Sequence, residues 1–207
     1  MKLFFSFNHN TIEEALKVAQ QTEQWCDAFR IGPVLIFHYG IEIIAEFRKQ
    51  FPQKMIIAES RIIDHEEEIV SLAARAGSDW ISVLADAPQS IIRAACVTAH
   101  AARTKVIINL PGANSFGQLV LEAASMGADA LVFNFVPNCE SSDTFFDRWE
   151  MVRGNTKLPV YIATAINRDN IQTLLKLEPS GIIVGGAVTE AKNPEQEAQF
   201  FHKLVKS

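Results

Sequence analysis

The feature that most constrains the fold of this chain is a short apolar segment that recurs about every 25 residues along the whole sequence. The segments are rich in Ile, Val and Phe, and most of them lack a strict alternation of polar and apolar residues. This composition is typical of strands that are buried on both faces of a parallel sheet. The eight segments are 3–7, 28–31, 55–58, 80–84, 105–109, 130–133, 159–163 and 181–185.

Helical patterns occupy the intervals between these segments. Thr11 and Asp64 each precede an amphipathic stretch and each has a Glu three residues later, which is the pattern of a capping box at a helix start. Asn193 and Pro194 predict the start of the last helix, because proline favours the first helical turn. The motifs GSDW, GADA and PSGI repeat one step from a helix end into the next strand.

Eight strands that alternate with eight helices predict a (β/α)8 TIM barrel that spans residues 1–207 as a single domain. The 207 residues are close to the lower limit of about 200 for this fold, which leaves no room for an inserted domain. An open, doubly wound sheet is the structural alternative. It usually has fewer strands, and no G-x-G-x-x-G motif follows the first strand here.

Charge and composition exclude several classes of partner. The chain has 19 basic and 24 acidic residues, a net charge of −5, and no basic run, so we expect no nucleic-acid partner. No apolar stretch reaches about 18 residues and the first residues do not resemble a signal peptide, so we expect no membrane association. The cysteines, Cys26, Cys96 and Cys139, are far apart and form no C-x-x-C motif. This pattern favours a reducing, cytoplasmic location.

The predicted barrel directs the search for function to the carboxyl-terminal strand ends, which in this fold carry the chemistry. Glu59 and Arg61 follow the third segment two residues apart, so on a strand they face the same side. Opposite charges in such a place are costly unless they are paired or used. Two interpretations remain open: a structural ion pair, or a charged site for an anionic, sugar-like substrate.

Other strand ends carry further candidates. Gly185 and Gly186 follow the eighth segment, where backbone N–H groups can approach a phosphate, although a tight turn would also explain them. His9 lies beside the end of the first segment and is a candidate substrate contact. The remaining polar or small residues at strand ends are Asn8, Arg30, Asn109, Asn134 and Thr164.

Several of these segments resemble one family from end to end. The chain is similar to the orotidine-5′-phosphate decarboxylase suprafamily, in particular to its 3-hexulose-6-phosphate synthase and 3-keto-L-gulonate-6-phosphate decarboxylase branch. The resemblance implies a barrel of the ribulose-phosphate-binding type and a lyase that acts on a sugar phosphate through an enediolate. The matching segments are MKLFFSFNHNTIEEAL, RIGPVLIFHYG, IIAESRIID, GADALVFN and IVGGAVTEAKNP.

The resemblance assigns the catalytic residues to the third strand. Relatives carry D-x-K-x-x-D there, and in this chain the same frame holds Glu59, Arg61 and Asp64. The charge signs are kept, but two of the three residue types differ. In the relatives the final Asp reaches the active site of a partner subunit. The resemblance therefore implies a homodimer with shared active sites, in which Asp64 has this role.

The resemblance also implies residues that bind the substrate. Asn8, Arg30 and Asn134 would contact the sugar oxygens, and Thr164, Gly185 and Gly186 would hold the phosphate. Relatives hold Mg²⁺ with a Glu on strand two and with the first Asp of the signature. Strand two of this chain carries Arg30 instead, which removes an anionic ligand and repels a divalent cation. We therefore predict a site with no bound metal and no other cofactor.

Two interpretations of this altered site remain open, because Arg61 cannot exchange a proton as a buried lysine can. In the first, Arg30 and Arg61 act as fixed cations and Glu59 or Asp64 moves the proton, which predicts a carbon–carbon lyase. In the second, Arg30 pairs with Glu59 and the protein binds a phosphosugar without turnover. A ketose-phosphate isomerase or epimerase is a third possibility, since enediolate chemistry uses the same groups.

Overall fold

The computed structural model describes residues 1–110, 117–134 and 142–206. Within them, eight parallel strands form one closed barrel in chain order, and β8 pairs with β1. This arrangement confirms the predicted (β/α)8 barrel. The strands are β1 (Lys2–Phe7), β2 (Ala28–Ile31), β3 (Met55–Ile62), β4 (Trp80–Leu84), β5 (Lys105–Leu110), β6 (Ala130–Asn134), β7 (Val160–Ala163) and β8 (Gly181–Val184).

The described residues contain ten α-helices rather than the eight predicted, because two short helices directly follow β2 and β8. None of the helices in these described ranges is both long enough and apolar enough to cross a membrane. The helices are α1 (Ile12–Thr22), α2 (Pro33–Tyr39), α3 (Glu42–Gln50), α4 (Glu66–Arg75), α5 (Gln89–Ala101), α6 (Gly117–Met126), α7 (Ser142–Gly154), α8 (Ile171–Leu175), α9 (Gly186–Thr189) and α10 (Pro194–Lys206), with a 3-10 turn at Glu23–Trp25.

Two of the three predicted helix starts are confirmed. Thr11 Oγ1 accepts a hydrogen bond from the Glu14 N–H at 3.3 Å, and Asn193 Oδ1 accepts one from the Gln196 N–H at 3.2 Å. The prediction that Asp64 caps a helix is wrong. Strand β3 continues past its predicted end to Ile62, so the chain turns later, and α4 begins only after His65, whose φ of 51° is left-handed.

Apolar side chains fill the lower part of the barrel interior. Alternation along each strand places Phe4, Ile57, Ile107, Val132 and Ile183 inside the barrel, where they form one buried cluster. The other face of the sheet packs against the helices through a larger apolar core. The barrel is therefore a packed core and not a pore, as is usual for this fold.

The amino-terminal end of the barrel is closed by a contact that repeats four times. The residue just before each even-numbered strand donates its N–H to a carbonyl of the preceding strand and accepts the N–H of that same residue with its side chain. The four pairs are Asp27 with Leu3, Asp79 with Ile56, Asp129 with Val106 and Ser180 with Val160. The recurring sequence step in GSDW, GADA and PSGI is this contact.

Two of the three cysteines lie in the core. Cys26 and Cys96 are free and buried, and burial raises the pKa of each thiol to about 12. Since the thiolate is the nucleophile, neither residue is suited to nucleophilic catalysis. Cys139 lies outside the described residues.

Candidate active site

The carboxyl-terminal part of the barrel interior is polar. On six strands, the residue two positions after an inward-facing apolar residue is polar, and residues two apart on a strand share a face. These positions form a polar layer above the apolar interior, and the layer comprises Ser6, Arg30, Glu59, Ser82, Asn109 and Asn134. Ser6 and Ser82 were not among the predicted site residues, although the same step of two would have found them.

Glu59 lies at the centre of this layer and is only 1% exposed. Arg30 Nε donates a hydrogen bond to Oε2 at 2.9 Å, and Arg30 Nη2 lies 2.8 Å from the same oxygen. The other oxygen, Oε1, accepts hydrogen bonds from Asn109 Nδ2 at 2.6 Å and from Arg61 Nε at 3.2 Å. Both oxygens of Glu59 are therefore occupied by donors from β2, β3 and β5.

The backbone of β3 is irregular where it supplies Arg61. Its register against β4 shifts between Ala58 and Ile62, and Arg61 has a φ of 49°, which is rare for a residue with a side chain. The Arg61 N–H donates to Ser82 Oγ at 2.9 Å, which holds this conformation. Backbone strain of this kind is concentrated at functional sites in proteins. Here it allows the half-exposed Arg61 side chain to turn back to Glu59.

Several buried polar atoms at this end of the barrel have no hydrogen-bond partner among the described residues. Unsatisfied buried atoms are rare in folded proteins, and a ligand or bound water commonly supplies the missing partner. The polar layer and the adjoining strand ends therefore have the character of a binding site. These atoms are Ser6 Oγ, Arg30 Nη2, Ser60 Oγ, Asn109 Oδ1 and Thr164 Oγ1.

Asp64 lies outside the buried cluster. Its side chain is exposed, and with Glu59 and Arg61 it lines a groove of about 570 Å³. The rest of this groove is mainly apolar and is formed by α2, its continuation toward α3, and α4. Phe37, on the rim of the groove, is 90% exposed. The groove thus combines one end of the charged cluster with an exposed apolar surface.

The predicted phosphate residues lie on the neighbouring strands β7 and β8. Thr164 directly follows β7, and Gly185 directly follows β8. A side chain added at Gly185 would meet no atom within 4 Å, so the space beside it is open. Gly186 begins α9, and an added Cβ there would lie 3.1 Å from the Glu190 carboxyl group.

The remaining predicted contacts lie around the same rim. Asn8 is exposed at the end of β1, with its side chain packed closely over Gly32. Asn134 ends β6 and pairs in register with Ala163 of β7. His9 faces α9, where its Nε2 lies 2.9 Å from the Thr189 carbonyl oxygen. His9 thus tethers the end of α9 to the end of β1.

The residues that occupy the family's metal positions do not fit Mg²⁺. Strand two supplies the Arg30 guanidinium where an anionic ligand would be required, and both oxygens of Glu59 already accept N–H groups. Mg²⁺ demands near-octahedral oxygen ligands, which this arrangement does not offer. In the described parts of the chain, no group of three or more His, Cys, Asp or Glu side chains is placed to hold a metal ion.

Comparison with known proteins identifies similar chains of the same length. The family model described as "Orotidine 5′-phosphate decarboxylase / HUMPS family" matches residues 1–201. The chain is 23% identical to a 3-hexulose-6-phosphate synthase of Bacillus subtilis (strain 168), over 99% of both chains. Among solved structures, a 3-hexulose-6-phosphate synthase is similar with a TM-score of 0.90 and 23% identity, over 99% of this chain and 100% of the other. KGPDC from Streptococcus mutans, solved in complex with a sugar phosphate, is similar with a TM-score of 0.90 and 19% identity, over 100% of this chain and 99% of the other.

Proposed function

The chain belongs to the orotidine 5′-phosphate decarboxylase / HUMPS family, and from this premise we propose that it is a carbon–carbon lyase that acts on a sugar phosphate through an enediolate. One observation carries the proposal. The buried cluster of Arg30, Glu59, Arg61 and Asn109 lies at the carboxyl-terminal end of the barrel, where enzymes of this fold keep their catalytic groups. Unsatisfied polar atoms beside the cluster support a bound ligand at that place.

The two arginines take the electrostatic part of the reaction in this proposal. When the carbon–carbon bond breaks, its electron pair remains on the sugar phosphate and negative charge develops on an oxygen. Fixed cations in a water-poor site stabilise such an oxygen. Arg30 is held rigidly on Glu59, whereas Arg61 makes the longest of these contacts and its side chain is 53% exposed. Arg61 is thus the group that can turn from Glu59 toward the substrate.

Proton transfer falls to Glu59 or Asp64. Glu59 can take a proton only after one of its contacts opens, and the 3.2 Å contact to Arg61 is the one suited to open. Asp64 has no such constraint, because its side chain is exposed at the groove. The substrate's sugar oxygens would contact Asn8, Arg30 and Asn134, and its phosphate would lie at Thr164, Gly185 and Gly186.

The site as proposed is shared between two copies of the chain. The groove beside Asp64 is mainly apolar, and Phe37 on its rim is 90% exposed, which is unusual for a large apolar residue. A second copy that covers this groove would bring another chain next to Asp64. Light scattering after gel filtration should give a dimer for the natural protein and a monomer for Phe37→Asp. A natural protein that is monomeric at micromolar concentration would contradict the homodimer.

Two reactions test the lyase directly. The protein should either condense ribulose 5-phosphate with formaldehyde or release CO₂ from 3-keto-L-gulonate 6-phosphate, and added Mg²⁺ should not be required. Glu59→Gln and Asp64→Asn should each lower kcat by about 100-fold or more, the lower end of what positioned acid–base groups contribute. Glu178→Gln, which changes an exposed carboxylate outside the site, is the matched control. No turnover of either substrate, with or without Mg²⁺, would refute the proposal.

A phosphosugar-binding protein without turnover is the second candidate. The specific observation in its favour is that Arg30 pairs with Glu59, so that both oxygens of the buried carboxylate are engaged. This candidate predicts that ribulose 5-phosphate raises the melting temperature of the protein while no product forms. Steady turnover of any sugar phosphate would exclude it.

A further inference from the structure

We propose that Arg30 and Asn109 together bind the carbonyl oxygen and the neighbouring hydroxyl group of a ketose, without a divalent cation. The inference rests on the proposed function, because it specifies how the same site would recognise its substrate. It starts from two buried atoms that lack partners among the described residues: the donor Arg30 Nη2 and the acceptor Asn109 Oδ1.

Glu59 places these two atoms next to each other. Its Oε2 holds Arg30 through Nε, and its Oε1 holds Asn109 through Nδ2. Arg30 Nη2 also lies 2.8 Å from Oε2, but its N–H bonds are not aligned with that oxygen, so they remain available. One carboxylate therefore positions a free donor and a free acceptor side by side on buried residues that are 8% and 2% exposed.

The orientation of the Asn109 amide follows from its partner. An ionised carboxylate only accepts hydrogen bonds, so the atom that faces Glu59 must be the Nδ2 amide nitrogen. The carbonyl oxygen, Oδ1, then points away from Glu59 and can accept one hydrogen bond from a ligand. A leucine or an aspartate at this position could not combine these two functions.

The pair selects the chemical class of the ligand. An α-hydroxyketone has a carbonyl oxygen that accepts a hydrogen bond, and on the adjacent carbon a hydroxyl group that donates one. These two groups complement Arg30 Nη2 and Asn109 Oδ1. A phosphate dianion or a carboxylate offers no proton to Oδ1, so neither satisfies the pair. As negative charge develops on the carbonyl oxygen, the Arg30 guanidinium stabilises it.

Charge balance leaves a cation for this purpose. Arg30 and Arg61 carry two positive charges and Glu59 carries one negative charge, so the cluster keeps one net positive charge. A metal ion usually supplies that charge at an enediolate. Here the cluster supplies it with side chains alone.

Dihydroxyacetone phosphate is the smallest probe, because it has one carbonyl and one free neighbouring hydroxyl group. Hydroxyacetone phosphate lacks only that hydroxyl group. NMR titration of the natural protein should show about tenfold weaker binding of hydroxyacetone phosphate, the value of one well-made hydrogen bond. The affinity for dihydroxyacetone phosphate should be the same in EDTA and in Mg²⁺.

Two variants locate the effect. In Asn109→Leu the difference between the two probes should vanish, because the hydroxyl group has lost its acceptor. Ser78→Ala is the matched control, since it also changes a buried and unpaired polar side chain but lies before β4, at the other end of the barrel. In this variant the tenfold difference should remain.

Equal affinity for the two probes, absence of binding, or a requirement for Mg²⁺ would each overturn the inference, and these measurements need only the natural protein. The lyase proposal fails separately. A protein that discriminates between the probes without Mg²⁺ but turns over neither lyase substrate would keep the Arg30–Asn109 site and lose the catalytic function.

Discussion

At the amino-terminal end of the barrel, Asp27, Asp79 and Asp129 each accept a strand N–H at 2.7–2.9 Å and return their own N–H to the same residue. At the carboxyl-terminal end, Arg30 Nη2 and Asn109 Oδ1 are buried without partners in the described part of the chain. The first end is regular and hydrogen-bonded; the second is irregular and leaves polar atoms unpaired.

This difference separates stability from function along one axis of the molecule. Buried polar atoms without partners cost about 1–3 kcal/mol each, so a fold keeps them only where something else compensates. The repeated contacts at the amino-terminal end close the barrel. The polar layer at the other end loses stability in the free protein and recovers it when a ligand supplies the missing hydrogen bonds. Substitutions at the two ends should therefore have different consequences.

The largest effect is expected for Arg30→Met. This change leaves the Glu59 carboxylate buried with one cation fewer, and breaking a buried ion pair typically costs about 3–5 kcal/mol. The free energy of unfolding, measured in urea, should fall by that amount, and ribulose 5-phosphate should no longer stabilise the protein. A loss below about 1 kcal/mol would show that the pair is not essential to this end of the barrel.

The double variant Arg30→Met/Glu59→Leu is the control for this prediction. Replacing both members of a buried ion pair by apolar residues is often neutral or stabilising, so most of the lost stability should return. Ligand binding should not return. Recovery of both properties would mean that the charged cluster serves neither purpose.

Asp79→Ala tests the amino-terminal end. The change removes the acceptor of the Ile56 N–H and the ion-pair partner of Arg48, and we expect a loss of about 1–2 kcal/mol in the free energy of unfolding. The affinity for ribulose 5-phosphate should stay within twofold of the natural protein. Asp79→Asn keeps an acceptor and should lose less stability. A strong effect of either variant on ligand affinity would contradict the separation of the two ends.

The amino-terminal end could be predicted from sequence because its contacts are local and repeated. The step from Gly through Asp or Ser into a strand recurs at a constant spacing, and the same geometry follows each time. The eight strands could be predicted for the same reason, since burial on both faces requires a continuous apolar run. A feature that repeats with the fold is visible in one chain.

The site could be predicted only in part. Glu59 and Arg61 were found because strand alternation places them on one face, and their contact is present in the structure. The position of Asp64 was wrong as a helix start, since nothing in the sequence shows that β3 bends and continues to Ile62. The partnership of Glu59 with Asn109 joins residues 50 positions apart, and only the closed barrel brings them together.

A smaller effect is expected where β3 bends. Arg61 has a φ of 49°, and this left-handed conformation costs a residue with a side chain about 1–2 kcal/mol, a cost that glycine does not have. Arg61→Gly should therefore be more stable than Arg61→Ala by about 1 kcal/mol, although both lose the same contact to Glu59. Urea unfolding of the two variants measures this difference. Equal stability, or a more stable alanine variant, would mean that the bend is not strained.

The smallest effect concerns the pH dependence of the amino-terminal end. Burial alone would raise the pKa of Asp27, but the Leu3 N–H and the lysines Lys206 and Lys2 lower it below the ordinary 3.8. Because the unfolded chain then binds the proton more readily, the contribution of Asp27 to stability is complete above about pH 3.8 and is lost as the pH falls through the folded value.

The variant Asp27→Asn isolates this contribution, since it keeps an acceptor for the Leu3 N–H but has no charge to titrate. The difference in unfolding free energy between the natural protein and Asp27→Asn should be constant from pH 7 to pH 5 and should shrink at pH 3. In a Lys206→Met background the same difference should be smaller at every pH, because one of the two lysines is gone. A difference that grows on acidification would reverse the sign of the coupling, and the aspartate contacts would then not be what closes this end of the barrel.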